Sequence, residues 1–265
     1  MKYSVFCSDL DGTLLSTKSD VSDWTIAEVS RIKSKMKIIL VSARMPKSMT
    51  YLQKRLGIAN EPIICYNGAL VLEGKHEISS VVIPMDEIKL IHSVAKVHDI
   101  QLGLYHNDEW CVSKTSERVV KEIHHTRATP TYEVTNATIE RWETQKIGAH
   151  KIMLMGTETA TDLIFPKLEA LLNTSLHFYR SNATLIEVAP KEVSKHLAIE
   201  QLLNNDQTMK DVIAFGDNYN DMVMLEHAGC GVAMGNGRDE VKAIANYTTL
   251  KNTENGVAHF IREHL

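Results

Sequence analysis

The chain has 265 residues, 44% of them hydrophobic and 23% charged, and a formal net charge of −4. That balance suits one large or two smaller folded domains and lacks the basic excess that a nucleic-acid backbone demands, so a small-molecule partner is expected. The four cysteines, Cys7, Cys65, Cys111 and Cys230, form no CxxC pair, which argues against a zinc site or a disulfide framework, and no apolar run nears the roughly 18 residues of a membrane span.

The opening apolar stretch spans only a few residues before Asp9 and Asp11 interrupt it, so no signal peptide is expected and the cytoplasm is the expected location. Tyr3 to Ser8 reads as a first strand. Ser22 is placed to cap a helix running to about Ser34, with Trp24, Ala27, Val29 and Ile32 as its apolar face, and Lys37 to Val41 follows as a second strand. Pro46 to Leu56 is the next helix, Gly57 its left-handed C-cap, and Pro62 to Tyr66 a third strand entering the Asn67-Gly68 turn. This alternation predicts βαβ units on a parallel sheet.

Beyond the turn the rhythm changes. Ala69 to Leu72 and Ile78 to Ile83 look like a hairpin. Met85 to His98 and Thr159 to Leu172 carry helical periodicity, whereas Gln101 to Tyr105, His150 to Met155, Leu176 to Tyr179 and Leu185 to Val188 favour strand. Residues 84–189 therefore read as an inserted α+β domain, with 1–83 and 190–265 forming an α/β core. The alternating pattern returns after Pro190 with a helix from Ser194 to Leu203, a strand from Asp211 to Phe215 and a helix from about Tyr219 to His227.

The chemistry concentrates where apolar strands end. Asp9-Leu10-Asp11-Gly12-Thr13-Leu14 follows the first strand directly, and strand ends of an α/β sheet commonly bind ligands. Two carboxylates two residues apart can address one centre if the backbone turns, and Gly12 permits the turn. Asp9 can then act as a nucleophile on phosphorus and Asp11 as the proton carrier for leaving oxygen and water. An EF-hand reading fails, because Leu14 and Asp20 stand where that loop needs Gly and a bidentate acid. A second acidic run, Gly216-Asp217-Asn218-Tyr219-Asn220-Asp221, also follows an apolar strand. By itself it could be a turn and helix cap. Brought beside Asp9 it would form an oxygen cluster that repels itself unless a hard cation such as Mg²⁺ sits in it. Ser42 at a strand end and Lys195 at a helix start add a hydroxyl donor and a positive charge suited to phosphate.

The order D-L-D-G-T-L, V-S-A-R, V-S-K and G-D-N-Y-N-D resembles the haloacid dehalogenase superfamily, and within it the Cof-type phosphatase branch. Tyr66-Asn67-Gly68-Ala69, Ala233-Met234-Gly235-Asn236 with Val241-Lys242, and Asn255-Gly256-Val257-Ala258 extend the similarity over most of the core. The resemblance implies a Rossmann-like core bearing a C2-type α/β cap over the active site. It implies Asp9 as nucleophile and Asp11 as general acid and base. It further implies Mg²⁺ held by Asp9, the Asp11 main-chain carbonyl and Asp217, with Asn220 and Asp221 supporting the metal or phosphate shell. Ser42 and Lys195 would bind the transferring phosphoryl group, and Arg44, Asn67 and Gly68 would shape the substrate cleft. Where the branch often has S-G-R and G-V-S-K-G, this chain has Ser42-Ala43-Arg44 and Glu192-Val193-Ser194-Lys195-His196, which bears on substrate preference more than on reaction type.

The expected reaction is hydrolysis of a small phosphate monoester, a sugar phosphate or a phosphorylated cofactor intermediate, through an aspartyl phosphate. A sugar phosphomutase and a non-catalytic phosphosugar-binding regulator are the alternatives. His106 and Trp110 in the insertion could meet the leaving group or simply pack in that domain. Neither G-x-x-x-x-G-K-[ST] nor G-x-G-x-x-G occurs, so ATP-driven and NAD-dependent chemistries lose support.

Overall fold

The computed structural model describes residues 2–17 and 19–265. In chain order it begins with β1 (Val5–Asp9), α1 (Asp23–Ile32), β2 (Lys37–Val41), α2 (Lys47–Leu56), β3 (Pro62–Cys65), β4 (Leu70–Glu73) and β5 (His76–Ser80). There follow α3 (Met85–Lys96), β6 (Gln101–His106), β7 (Glu109–Val112), α4 (Glu117–Thr126), β8 (Thr131–Tyr132), α5 (Thr135–Gln145), β9 (Lys151–Met155), α6 (Glu158–Leu172), β10 (Leu176–Asn182) and β11 (Leu185–Pro190). The last stretch holds α7 (Lys195–Glu200), β12 (Val212–Gly216), α8 (Met222–His227), β13 (Cys230–Ala233), α9 (Asp239–Ile244), β14 (Tyr247–Thr248) and α10 (Gly256–His264). Two compact units result, Met1–Ser79 with Ser194–Leu265, and Ser80–Val193.

The first unit is a doubly wound α/β domain. Its sheet runs β14-β13-β12-β1-β2-β3-β4-β5 and is parallel from β14 through β3, with β4 antiparallel to β3. β2, the next strand, lies on one side of β1, and β12, reached only after α7, lies on the other, so β1 lies at the switch point where loops at the carboxyl ends diverge. Register brings those ends level, with Asp9 opposite Val41 and Ser8 opposite Phe215. The central strands β13, β12, β1, β2 and β3 are buried on both faces, and residues such as Val5, Cys7, Ile39, Val41 and Ala214 form the core. Local signals act as read: the Ser22 hydroxyl accepts the Thr25 amide to start α1, and Gly57 ends α2 at φ 69°.

The second unit is α+β, its sheet ordered β10-β11-β9-β6-β7-β8 with all but the β7–β8 pair antiparallel. Leu102, Leu104, Ile152, Leu154, Ile186 and Val188 alternate onto one sheet face and share a core with Ile88, Ile91, Trp142, Ile164 and Leu168 of α3, α5 and α6. One strand differs from expectation. The expected hairpin forms between β4 and β5, but its second strand is the polar run His76–Ser80 and stops short of Ile83, which is buried and instead exchanges backbone hydrogen bonds with Ala149. Among the described residues no helix is long and apolar enough to cross a membrane.

Candidate active site

Four loops at the carboxyl ends of the parallel strands build the site. Directly after β1, Leu10–Leu14 makes one wide helical turn closed by the Leu15 amide donating to the Leu10 carbonyl, and Asp11 and Gly12 leave helical geometry inside it. Gly12 has φ 83°, and a Cβ there would run into the Asp217 carboxylate, so the position needs glycine twice over. The Thr13 hydroxyl donates to Asp217 Oδ1 at 3.0 Å, joining the first acidic motif to the second.

Lys195, first residue of α7 behind the Ser194 cap, is 1% exposed and reaches two carboxylates. Its Nζ donates to Asp9 Oδ1 at 2.5 Å and to Asp221 Oδ1 at 2.7 Å. Asp221 uses Oδ2 to accept the amides of Asp217 and Asn218 at 3.0 and 3.1 Å, which folds the loop after β12 back on itself. Asp9, Asp217 and Asp221 present carboxylate oxygens within 4.8 Å of one another.

Burial dominates the electrostatics of this cluster. It pushes the Asp9 carboxyl well above its ordinary range against the opposing pull of Lys195, and together with the Asp221 charge it pushes Asp217 up to about 6. Burial alone would lower Lys195, yet the charges of Asp221 and Asp9 outweigh it and hold the ammonium protonated. Three carboxylates against one ammonium leave uncompensated negative charge in a low-dielectric pocket. An all-oxygen donor set with that excess fits a hard divalent cation.

Asp11 lies apart from this cluster. Arg44 Nε and Nη2 bond its Oδ2 and Oδ1, both at 2.7 Å, in a two-pronged pair, with Arg44 4% exposed and the Asp11 side chain 52% exposed. Arg44, expected to shape the substrate cleft, thus has these two nitrogens on the Asp11 carboxylate. Ser42 is buried and its hydroxyl oxygen accepts the Arg44 amide at 3.2 Å. The Asn67-Gly68 turn takes φ 58° and 110°, brings Gly68 too close to the Ser194 carbonyl for any side chain, and lets Asn67 Oδ1 accept Asn220 Nδ2 at 3.0 Å. The sequence reading gave no role to Thr13, Asn236 or Asn252. Asn236 donates to the Gly12 carbonyl and Asn252 to the Leu15 carbonyl, both at 2.8 Å, so two asparagines far along the chain brace the loop after β1. Their only signal was the Gly235-Asn236 pair. Trp110 is buried within the second unit, stacked on Tyr105 at 5.4 Å, and His106 Nδ1 donates to the Gly148 carbonyl at 2.8 Å.

The family model for haloacid dehalogenase-like hydrolases matches residues 6–261. The chain is 30% identical to the 5-amino-6-(5-phospho-D-ribitylamino)uracil phosphatase YitU of Bacillus subtilis, over 97% of this chain and 95% of the relative. It is 27% identical to the pyridoxal phosphate phosphatase YbhA of Escherichia coli over the full length of both. The crystal structure of a haloacid dehalogenase-like hydrolase from Bacteroides thetaiotaomicron superposes with a TM-score of 0.91 over 100% of both chains, at 27% identity. The chain belongs to the haloacid dehalogenase-like hydrolases, Cof-type branch. It is a phosphoric monoester hydrolase.

Proposed function

We propose that this enzyme is a Mg²⁺-dependent phosphatase of small phosphate monoesters, working through an aspartyl phosphate on Asp9. The convergence of Asp9, Asp217 and Asp221 around the buried ammonium of Lys195 carries the reading. Asp9, Asp217 and the Asp11 main-chain carbonyl would hold the metal, with Asp221 and Asn220 in support. Bound there, Mg²⁺ would neutralise phosphoryl charge that Lys195 alone cannot.

In the first step an Asp9 oxygen bonds to phosphorus as the ester P–O bond breaks, and Asp11 gives its proton to the departing alcohol oxygen. In the second, water attacks the phosphorus of the aspartyl phosphate, its proton passes to Asp11, and phosphate leaves with the Asp9 carboxylate restored. Lys195, already protonated and held by two carboxylates, offsets charge on the phosphoryl oxygens without reorganising, as does the Ser42 hydroxyl by donation. Asn67, Gly68 and Asn220 shape the rim on which the substrate rests.

The substrate class we assign is a phosphorylated cofactor intermediate or sugar phosphate. Two full-length relatives named for such compounds support it, one for a phosphoribitylamino uracil and one for pyridoxal phosphate. We assign choice among these to the inserted unit, as its cap. The four cysteines are buried thiols, which suits a reducing cytoplasm. A phosphate-release screen over sugar phosphates, nucleotides and cofactor phosphates, with Mg²⁺ or with chelator, tests the reading. Metal-dependent turnover lost in Asp9→Asn is expected, and turnover unaffected by that substitution would overturn it.

A further inference from the structure

We propose that Arg44 is a positioning residue: it fixes the carboxylate of Asp11 for its proton transfers and does not hold the substrate's phosphate. The inference rests on the role given above to Asp11. An aspartate reaching toward solvent from a non-helical loop position keeps freedom about both side-chain torsions, and here the side chain is 52% exposed. A guanidinium fork engaging both oxygens at 2.7 Å removes that freedom, because planar two-point contact fixes the carboxylate's direction and its plane together. The fork takes one acceptor site on each oxygen and leaves the other on each for leaving group and water.

Arg44 is itself built into the core. Its amide is held by the Ser42 hydroxyl at 3.2 Å and its carbonyl accepts the Tyr66 amide at 3.2 Å. The Asn67 amide donates to the Ser42 carbonyl at 2.9 Å, tying the same loop to the Asn67-Gly68 turn. At the far end of the side chain, Nη1 donates to the Tyr51 hydroxyl at 3.5 Å, and that hydroxyl is held by the Ser19 carbonyl. A side chain anchored at both ends and 4% exposed is a rigid support for a group that is half in solvent.

The test compares Arg44→Met and Arg44→Lys with Asp11→Asn and the double variant Asp11→Asn/Arg44→Met. For an alkyl phosphate, Arg44→Met should lower kcat about a hundredfold, the scale of a misplaced catalytic group, with KM within about threefold. Arg44→Lys should recover part of the loss, as a single-point donor restrains the carboxylate incompletely. Adding Arg44→Met to Asp11→Asn should cost no further activity, since a residue acting through Asp11 has nothing left to position. With p-nitrophenyl phosphate, whose leaving group departs without a proton, Arg44→Met and Asp11→Asn should each release a burst of nitrophenolate and then turn over slowly. Additive losses in the double variant would overturn the proposal. A calorimetric titration with inorganic phosphate plus Mg²⁺ stands apart from turnover: affinity equal to wild type in Arg44→Met supports the assignment, and affinity at least tenfold weaker refutes it whatever the reaction. Lost turnover in Arg44→Met with wild-type behaviour in Asp11→Asn would sink the role of Asp11 instead.

Discussion

Replacing Lys195 by Met keeps most of the side-chain volume and removes a charge that is 1% exposed between Asp9 and Asp221, themselves 6% and 0% exposed. Two consequences can be sized. Losing one preorganised electrostatic partner of a developing charge costs about 2.7–4 kcal/mol in the barrier, so kcat should fall roughly 10²–10³-fold. Breaking a buried pair by deleting one partner costs about 3–5 kcal/mol, which at about 2–4 °C per kcal/mol lowers the melting temperature by roughly 10 °C. The deficit should depend on pH. The folded-state pKa of Asp9 already lies above its ordinary value through burial, and losing Lys195 raises it further. A carboxyl raised in this way contributes stability that is present at low pH and lost as pH rises through the folded pKa. In chelator, the variant should therefore approach wild type near pH 4 and diverge toward pH 8, and Mg²⁺ should recover part of the difference at pH 8. Thermal melts in chelator and in Mg²⁺ across that range, with steady-state kinetics, check this. A melting temperature within about 2 °C of wild type at pH 8 in chelator, together with kcat within about threefold, would refute the electrostatic account.

Further expectations follow from single sites. Asp217, pushed up to about 6, takes a proton below that value and then ligates poorly, so calorimetric Mg²⁺ affinity should fall as pH drops from 7.5 to about 5, and Asp217→Asn should flatten the dependence. Gly12→Ala meets both a positive φ and the Asp217 carboxylate, so it should cost about 1–2 kcal/mol in a chemical melt and at least tenfold in turnover; wild-type values for both would contradict the close approach. His150 is fully buried in the second unit, with Nδ1 accepting the Asn107 amide and Nε2 facing the Ser80 hydroxyl, and burial lowers its pKa to about 3. A depressed histidine contributes stability above its unfolded pKa that is lost as pH falls, here at about 1.4 kcal/mol per pH unit from 6.5 toward 3. Urea melts should show that slope, and His150→Gln should remove it.

The parts that could be read in the sequence are those whose signal is local. Strand ends carrying Asp9 and Asp217, the Ser22 and Ser194 caps, and the positive-φ positions Gly57 and Gly68 are each specified by residues within a few positions. The helices α4 and α5 were not read. Their inward faces carry Glu122, Thr126 and Thr138 among the buried residues, so apolar periodicity is diluted although the helices pack. The helix expected from Ser194 to Leu203 ends as α-helix at Glu200. At the site, Lys195 gave only a weak signal, because its meaning comes from burial between carboxylates 186 and 26 residues away. The pairing of Arg44 with Asp11 spans 33 residues and depends on the register of β1 with β2, which no local pattern specifies. Asn236 and Asn252 brace the loop after β1 from more than 220 residues away, through side-chain bonds to backbone carbonyls that leave no mark on composition or spacing.

The most direct test of the central claim is to mix enzyme and Mg²⁺ with a substrate labelled in its phosphate, quench with acid within the first turnover, and map the label by peptide. The account predicts acid-stable label on the peptide containing Asp9, absent from Asp9→Asn and accumulating in Asp11→Asn. Turnover with no protein-bound label, or label on a different residue, would contradict it.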